Sequence, residues 1–149
     1  MDTLQCGIVL ANLEVFDCHL DKRRAAAALY NQLLSDAKTR LPDGTLMMTV
    51  KVSSGIASSY GQYTLIIEHR DAVSRYMKEK GIPTAIHYPM PVNEQAAYRA
   101  SCCPDCTPVA SFVAAKVLSL PMHPFLVPSQ QHEIVEQLVL GIEWANQDK

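Results

Sequence analysis

The chain has 149 residues, 48% of them hydrophobic and 19% charged, with a formal net charge of −2; that size fits one domain able to bury most of its apolar surface. The near-neutral balance, without a basic block or a basic-aromatic stripe, argues against a nucleic-acid partner. The longest apolar run falls far short of a membrane span and the N-terminus shows no basic segment with an apolar core and cleavage site, so the cytoplasm is the expected location.

Residues 2–37 read as helical, with apolar positions Leu4, Ile8, Leu10, Leu13, Val15 and Phe16, then Leu20, Ala27, Tyr30, Leu33 and Leu34. The first part is apolar on more than one side, which suits a helix packed between this domain and a second body. Left bare, such a surface favours self-association. Asp17 is a candidate cap for a second helix. This organisation predicts one domain over residues 1–149, with a helical arm at 1–37 beside an α+β unit at 38–149.

Pro42-Asp43-Gly44 and Ser53-Ser54-Gly55 mark an irregular stretch, with one short extended piece at 47–52. Residues 60–67 are rich in β-formers and read as a strand. From Asp71 to Lys80 the apolar positions Val73, Tyr76 and Met77 have helical spacing, and Gly81 follows lysines in the last turn as a C-cap. Pro83 forbids continuation of that helix. Thr84 to His87 can extend as a strand, which Pro89 and Pro91 end, so that His87 and Tyr88 sit at a rigid strand exit. A short helix at Asn93 to Arg99, a helix at Pro108 to Lys116, a strand at Val117 to Leu120 and a final helix from Ser129 to Asn146 complete the series. Ser129 is the expected cap of the last helix, and Ile134, Leu138, Ile142 and Trp144 its buried side. Short strands separated by helices predict an α+β fold, a small antiparallel sheet of about three strands covered by helices with the N-terminal helical pair beside it.

Five cysteines leave at least one unpaired, and reduced thiols are expected, with Cys6 and Cys18 as small apolar helix residues. The cluster Cys102 to Cys106 is sharper, because Cys103 and Cys106 have the separation of metal knuckles and dithiol redox pairs. A structural zinc site takes four ligands. No second cysteine pair exists, and His87, His123 and His132 would join only by the chance of folding, so a metal or redox role is a minor alternative.

Four stretches resemble the DegT/DnrJ/EryC1/StrS sugar aminotransferases, which use pyridoxal phosphate (PLP) to aminate nucleotide-linked keto-sugars. They are Asp2-Thr3-Leu4-Gln5-Cys6-Gly7-Ile8-Val9-Leu10, the helix from Arg23-Arg24 to Tyr30-Asn31, the His87-Tyr88-Pro89 turn, and Leu118-Ser119-Leu120-Pro121-Met122-His123-Pro124. The resemblance spans nearly the whole chain but only the last third of a full-length member, the C-terminal small domain of a fold-type I aminotransferase. It implies a break in the first helical region near Asp17 and Asp21, and Met1 falls where the motif has its leucine. The Schiff-base lysine, the carboxylate for the PLP ring nitrogen and the main phosphate-binding residues belong to the preceding large domain in the family. Lys22, Lys38, Lys51, Lys78, Lys80, Lys116 and Lys149 do not lie in the family's lysine context and are expected to face solvent.

No catalytic residue and no cofactor is therefore expected for this chain alone. His87 and Tyr88 correspond to the family's substrate-side pair, here vestigial; the plainer alternative is that His87 bonds a backbone carbonyl and Tyr88 packs under the proline turn. A structural role is expected for His123. Glu94 stands where the family usually has histidine, one position before Gln95, which with Tyr98 follows on the next short helix; that departure weakens sugar recognition. Asp2 and Gln5 are expected to cap or to make interface contacts. The resulting expectation is a free-standing, non-catalytic binding or self-associating module, as a homodimer. The alternative is one subunit of a split aminotransferase that completes the pocket of a separate large-domain chain.

Overall fold

A computed structural model describes residues 2–147; Met1, set against the motif leucine, and Lys149 lie outside them. Helices α1 (Thr3–Leu13) and α2 (Phe16–Lys38) come first. They are followed by β1 (Met47–Thr49), β2 (Tyr63–Ile67), α3 (Arg70–Glu79), α4 (Pro108–Ala114), β3 (Val117–Leu120) and α5 (Pro128–Gln147). The strands form one antiparallel sheet in the order β1-β2-β3, so the expected α+β class holds with one strand exchanged. Thr84 to His87 contributes only a single bridge, Ala85 opposite Ser119, and Met47–Thr49 is the third strand. Pro83 and Pro89 have no N–H to offer a ladder, which shortens the stretch that can pair, and of the five residues between them only Ala85 bridges.

Among the described residues, no helix is long and apolar enough to cross a membrane. The core is continuous. Tyr63, Leu65 and Ile67 alternate inward along β2, and β3 is buried at every position, its outer edge taken by the Ala85 bridge. Against this sheet and each other pack Ala27, Tyr30 and Leu34 of α2, Val73 and Met77 of α3, and Ile134, Leu138 and Ile142 of α5. At Gly141 an added Cβ would meet the Tyr76 ring at 2.9 Å, so the missing side chain lets α5 approach α3 closely.

Helix ends follow local chemistry. Asp2 Oδ1 accepts from the Gln5 N–H at 2.8 Å while the Asp2 N–H donates to Gln5 Oε1 at 3.3 Å, a reciprocal capping box that starts α1. Gly81, at φ +75°, ends α3. Its N–H donates to the Lys78 carbonyl and the Ile82 N–H to the Met77 carbonyl, the paired pattern of a left-handed glycine cap, with Ile82 and Met77 both buried beneath it.

Several expected details are corrected. Val15, not Asp17, precedes α2, and Asp17 sits in its first turn, where its charge still favours the helix dipole. Pro128 opens α5, and the Gln130 side chain, not Ser129, caps back onto the Val127 N–H. In place of a helix at Asn93 to Arg99 there is only a 3-10 turn, Val92–Glu94. Trp144 stays 39% exposed, its ring tilted on Tyr76 rather than in the core.

Most unusual is α1. It contains no charged residue and buries none of its side chains; Leu4, Ile8, Leu10 and Leu13 are each more than half exposed.

Candidate functional site

His87 is placed by the chain before it. The Gly81 cap turns the backbone out of α3, Pro83 keeps it extended, and the Ala85 bridge clips it to β3 through N···O distances of 3.1 and 2.7 Å with Ser119. In extended backbone alternate residues share a face, so His87 returns to the side of Ser119, and its Nδ1 lies 3.3 Å from Ser119 Oγ. Ser119 Oγ is in turn 2.9 Å from Thr64 Oγ1, its cross-strand partner. The expected backbone carbonyl partner for His87 is thus replaced by a buried hydroxyl. Packing of Tyr88 under the proline turn is also corrected: the ring is 72% exposed and meets His87 edge-on at 5.8 Å. The His87–Tyr88 peptide is cis.

Two depressions meet at His87. One, of about 380 Å³, is mainly apolar and is lined by His87, Tyr88, Met90, Val92 and Gln95 together with Val113 and Ala114 at the end of α4. The other, of about 340 Å³, brings Gln62, Thr84, Ser119 and His123 beside His87. The structure therefore joins His87 and His123, which belong to separate motifs. The Phe125 N–H donates to His123 Nδ1 at 3.3 Å, which orders the turn and leaves Nε2 as the proton-bearing nitrogen of the neutral ring.

The remaining candidates divide between wall and scaffold. Gln95 lines the apolar depression, whereas the Glu94 carboxylate accepts from Ser111 Oγ and ties the 3-10 turn to α4. Tyr98 lines neither depression. Gln62 is continuous with a third hollow, of about 490 Å³, lined by residues from Val50 to Thr64. Arg23 and Arg24 brace this hollow by donating to the Tyr60 and Ser58 carbonyls at 3.2 and 3.4 Å. Asp2 and Gln5 serve the α1 cap. Ser119, Thr64 and Gln62 were not singled out in the sequence, although a serine inside the apolar run Val117–Leu120 is a signal that a side-chain partner is near.

Cys103 and Cys106 form a disulfide, which corrects the expectation of reduced thiols for that pair; Cys6, Cys18 and Cys102 are free. The Asn93 side chain spans both ends of this loop, donating to the Cys103 carbonyl at 3.0 Å and accepting from Thr107 Oγ1 at 3.1 Å. Among the described residues no group of three metal-binding side chains converges.

A PLP site needs a lysine amine at its centre and a carboxylate for the ring nitrogen. Neither depression beside His87 has a lysine or a carboxylate in its lining. Lys116 pairs with Glu68 instead, and Lys22 and Lys80 lie over the Phe125 and Tyr76 rings. The two depressions beside His87 do not by themselves supply these groups.

The model of the DegT/DnrJ/EryC1/StrS aminotransferase family matches residues 1–139. A UDP-2-acetamido-2-deoxy-3-oxo-D-glucuronate aminotransferase of Pseudomonas aeruginosa is 36% identical over 126 residues, 85% of this chain and 32% of that protein. A pleiotropic regulatory protein of Geobacillus stearothermophilus is 32% identical over 93% of the chain and 36% of its own length. Among solved structures, the DesV enzyme of S. venezuelae, in complex with a ketimine intermediate, superposes with a TM-score of 0.82 at 27% identity, covering 97% of this chain and 37% of that one. The chain spans about a third of the length of the relatives it matches.

Proposed function

Because this chain belongs to the DegT/DnrJ/EryC1/StrS aminotransferase family, we propose that it forms the substrate-facing small domain of a PLP-dependent nucleotide-sugar aminotransferase and is a non-catalytic binding module by itself. The observation that carries this reading is the position of His87. It is anchored on β3 through Ser119 at the meeting of two depressions, beside an exposed Tyr88, with no lysine or carboxylate lining either. The pair has the placement of half a pocket. A large domain that carries the lysine and the PLP would supply the other half, and bare apolar α1 is the surface suited to receive it. The Pseudomonas aeruginosa relative, named for a UDP-linked 3-oxo sugar, supports nucleotide-linked keto-sugars as the substrate class, and the cytoplasm is the compartment this role implies.

The same bare helix supports a second reading, self-association into a homodimer that hides α1 without any large domain.

Two measurements test these readings. With PLP the protein should show no stable aldimine band, and borohydride should label its lysines only in scattered, sub-stoichiometric amounts; a stable band that borohydride fixes in full to one lysine would overturn inactivity alone. Mixing with the large domain of the Pseudomonas aeruginosa relative should give a complex and restore transamination of that enzyme's substrate, and no complex at micromolar concentrations would count against the first reading.

A further inference from the structure

From the row Thr64, Ser119, His87 we infer that Ser119 and Thr64 are positioning residues that set the tautomer of His87. They hold its proton on Nε2 and present a hydrogen-bond donor to an oxygen atom of whatever occupies the adjoining depressions. The inference rests on the reading of His87 as a ligand-facing residue, although the tautomer itself does not depend on it.

Each hydroxyl has a single proton to place, which fixes the direction of the row. Thr64 Oγ1, Ser119 Oγ and His87 Nδ1 stand in line, at 2.9 and 3.3 Å, with Ser119 4% exposed between the other two. Ser119 has one proton and two neighbours. If His87 carried its proton on Nδ1, it would donate to Ser119, Ser119 would donate to Thr64, and the proton of the half-buried Thr64 hydroxyl would have to leave the row for solvent in the hollow that Thr64 lines. In the reverse order Thr64 donates to Ser119, Ser119 donates to His87 Nδ1, and each hydroxyl proton in the row is used. That order requires Nδ1 to be bare and Nε2 to bear the hydrogen. The row is stiff because its members are pinned by backbone pairing: Thr64 faces Ser119 in the β2-β3 register, and Ala85, two residues before His87, bridges to Ser119. Across the second depression His123 reaches the same tautomer by other means, with its Nδ1 accepting from the Phe125 N–H. Both histidines thereby offer Nε2–H, which favours an oxygen acceptor over an amino group as the ligand atom between them.

Long-range ¹⁵N–¹H correlation spectra of the imidazoles, recorded on the whole protein at a pH where His87 is neutral, test this directly. His87 should show a bare, hydrogen-bonded Nδ1 and a protonated Nε2. In S119A, which removes the donor, the Nδ1 resonance should move downfield toward that of a nitrogen accepting no hydrogen bond. T64V should move it the opposite way, upfield toward a protonated nitrogen, because Ser119 can then accept from Nδ1 as readily as donate to it, and T64S should restore the wild-type position. A protonated Nδ1 in the wild-type protein overturns the proposal even if a variant fails to fold. An unmoved Nδ1 in folded S119A overturns the role of Ser119. Because no large domain or substrate is involved, failure here leaves the proposed function standing, and failure to restore transamination leaves the tautomer assignment standing.

Discussion

The Tyr30 hydroxyl donates to the main-chain carbonyl of Pro121 at 3.1 Å, and its ring centroid lies 4.8 Å from that of Tyr63. Tyr63 in turn donates to Asn31 Oδ1. Through this junction the Tyr30-Asn31 pair of α2 holds the strand and turn that carry Ser119 and His123. Tyr30 is fully buried, so Y30F leaves the Pro121 carbonyl without its donor. We expect a loss of about 1–3 kcal/mol, read from urea unfolding at unchanged slope. An unmoved midpoint would show that water replaces the hydroxyl.

The same two tyrosines predict an alkaline limit. Burial first, and then a neighbouring tyrosine, Tyr63 for Tyr30 and Tyr60 for Tyr63, pushes both hydroxyls well above the ordinary tyrosine value. The unfolded chain loses these protons above about pH 10 while the folded chain keeps them. Their contribution to stability is therefore complete below that pH and is lost as pH rises toward the folded values. In an ultraviolet absorbance titration, two of the six tyrosines should ionise only together with unfolding.

For α1 the expectation separates stability from association. L4S/I8S/L10S changes only exposed side chains, so the unfolding free energy should stay within about 0.5 kcal/mol of wild type. Sedimentation velocity should nonetheless show weaker self-association or weaker capture of a large domain. Association that survives all three substitutions would place the interface elsewhere.

G81A tests the turn that launches the His87 segment. At φ +75° a Cβ is strained even though open space surrounds it, and the cost should be about 1 kcal/mol in thermal unfolding.

Thiol titration of the untreated, denatured protein should find three free thiols, Cys6, Cys18 and Cys102, and five after reduction. Five before reduction would remove the Cys103–Cys106 bond from the picture.

How far the structure was legible follows the range of the forces involved. The Gly81 cap and the Asp2-Gln5 capping box were readable because their partners lie within a few residues, and so was the inward face of α5 at Ile134, Leu138 and Ile142. The third strand was misplaced because Thr84 to His87 and Met47 to Thr49 are both short extended pieces, and only the neighbouring edge decides which can pair. Tyr88 was expected beneath the prolines, yet nothing local holds it there.

By itself the sequence determined the family, the helix boundaries set by local caps, and the excess apolar surface of α1, since these depend on residue type and close spacing. Tertiary structure alone decided that Ser119 rather than a carbonyl receives His87, that His123 shares its depression, and that α1 has no cover among the described residues. Those facts depend on which distant segments β2, β3 and the Ala85 bridge bring within hydrogen-bond reach, and pairing energy across such separations has no signature in any short window of the chain.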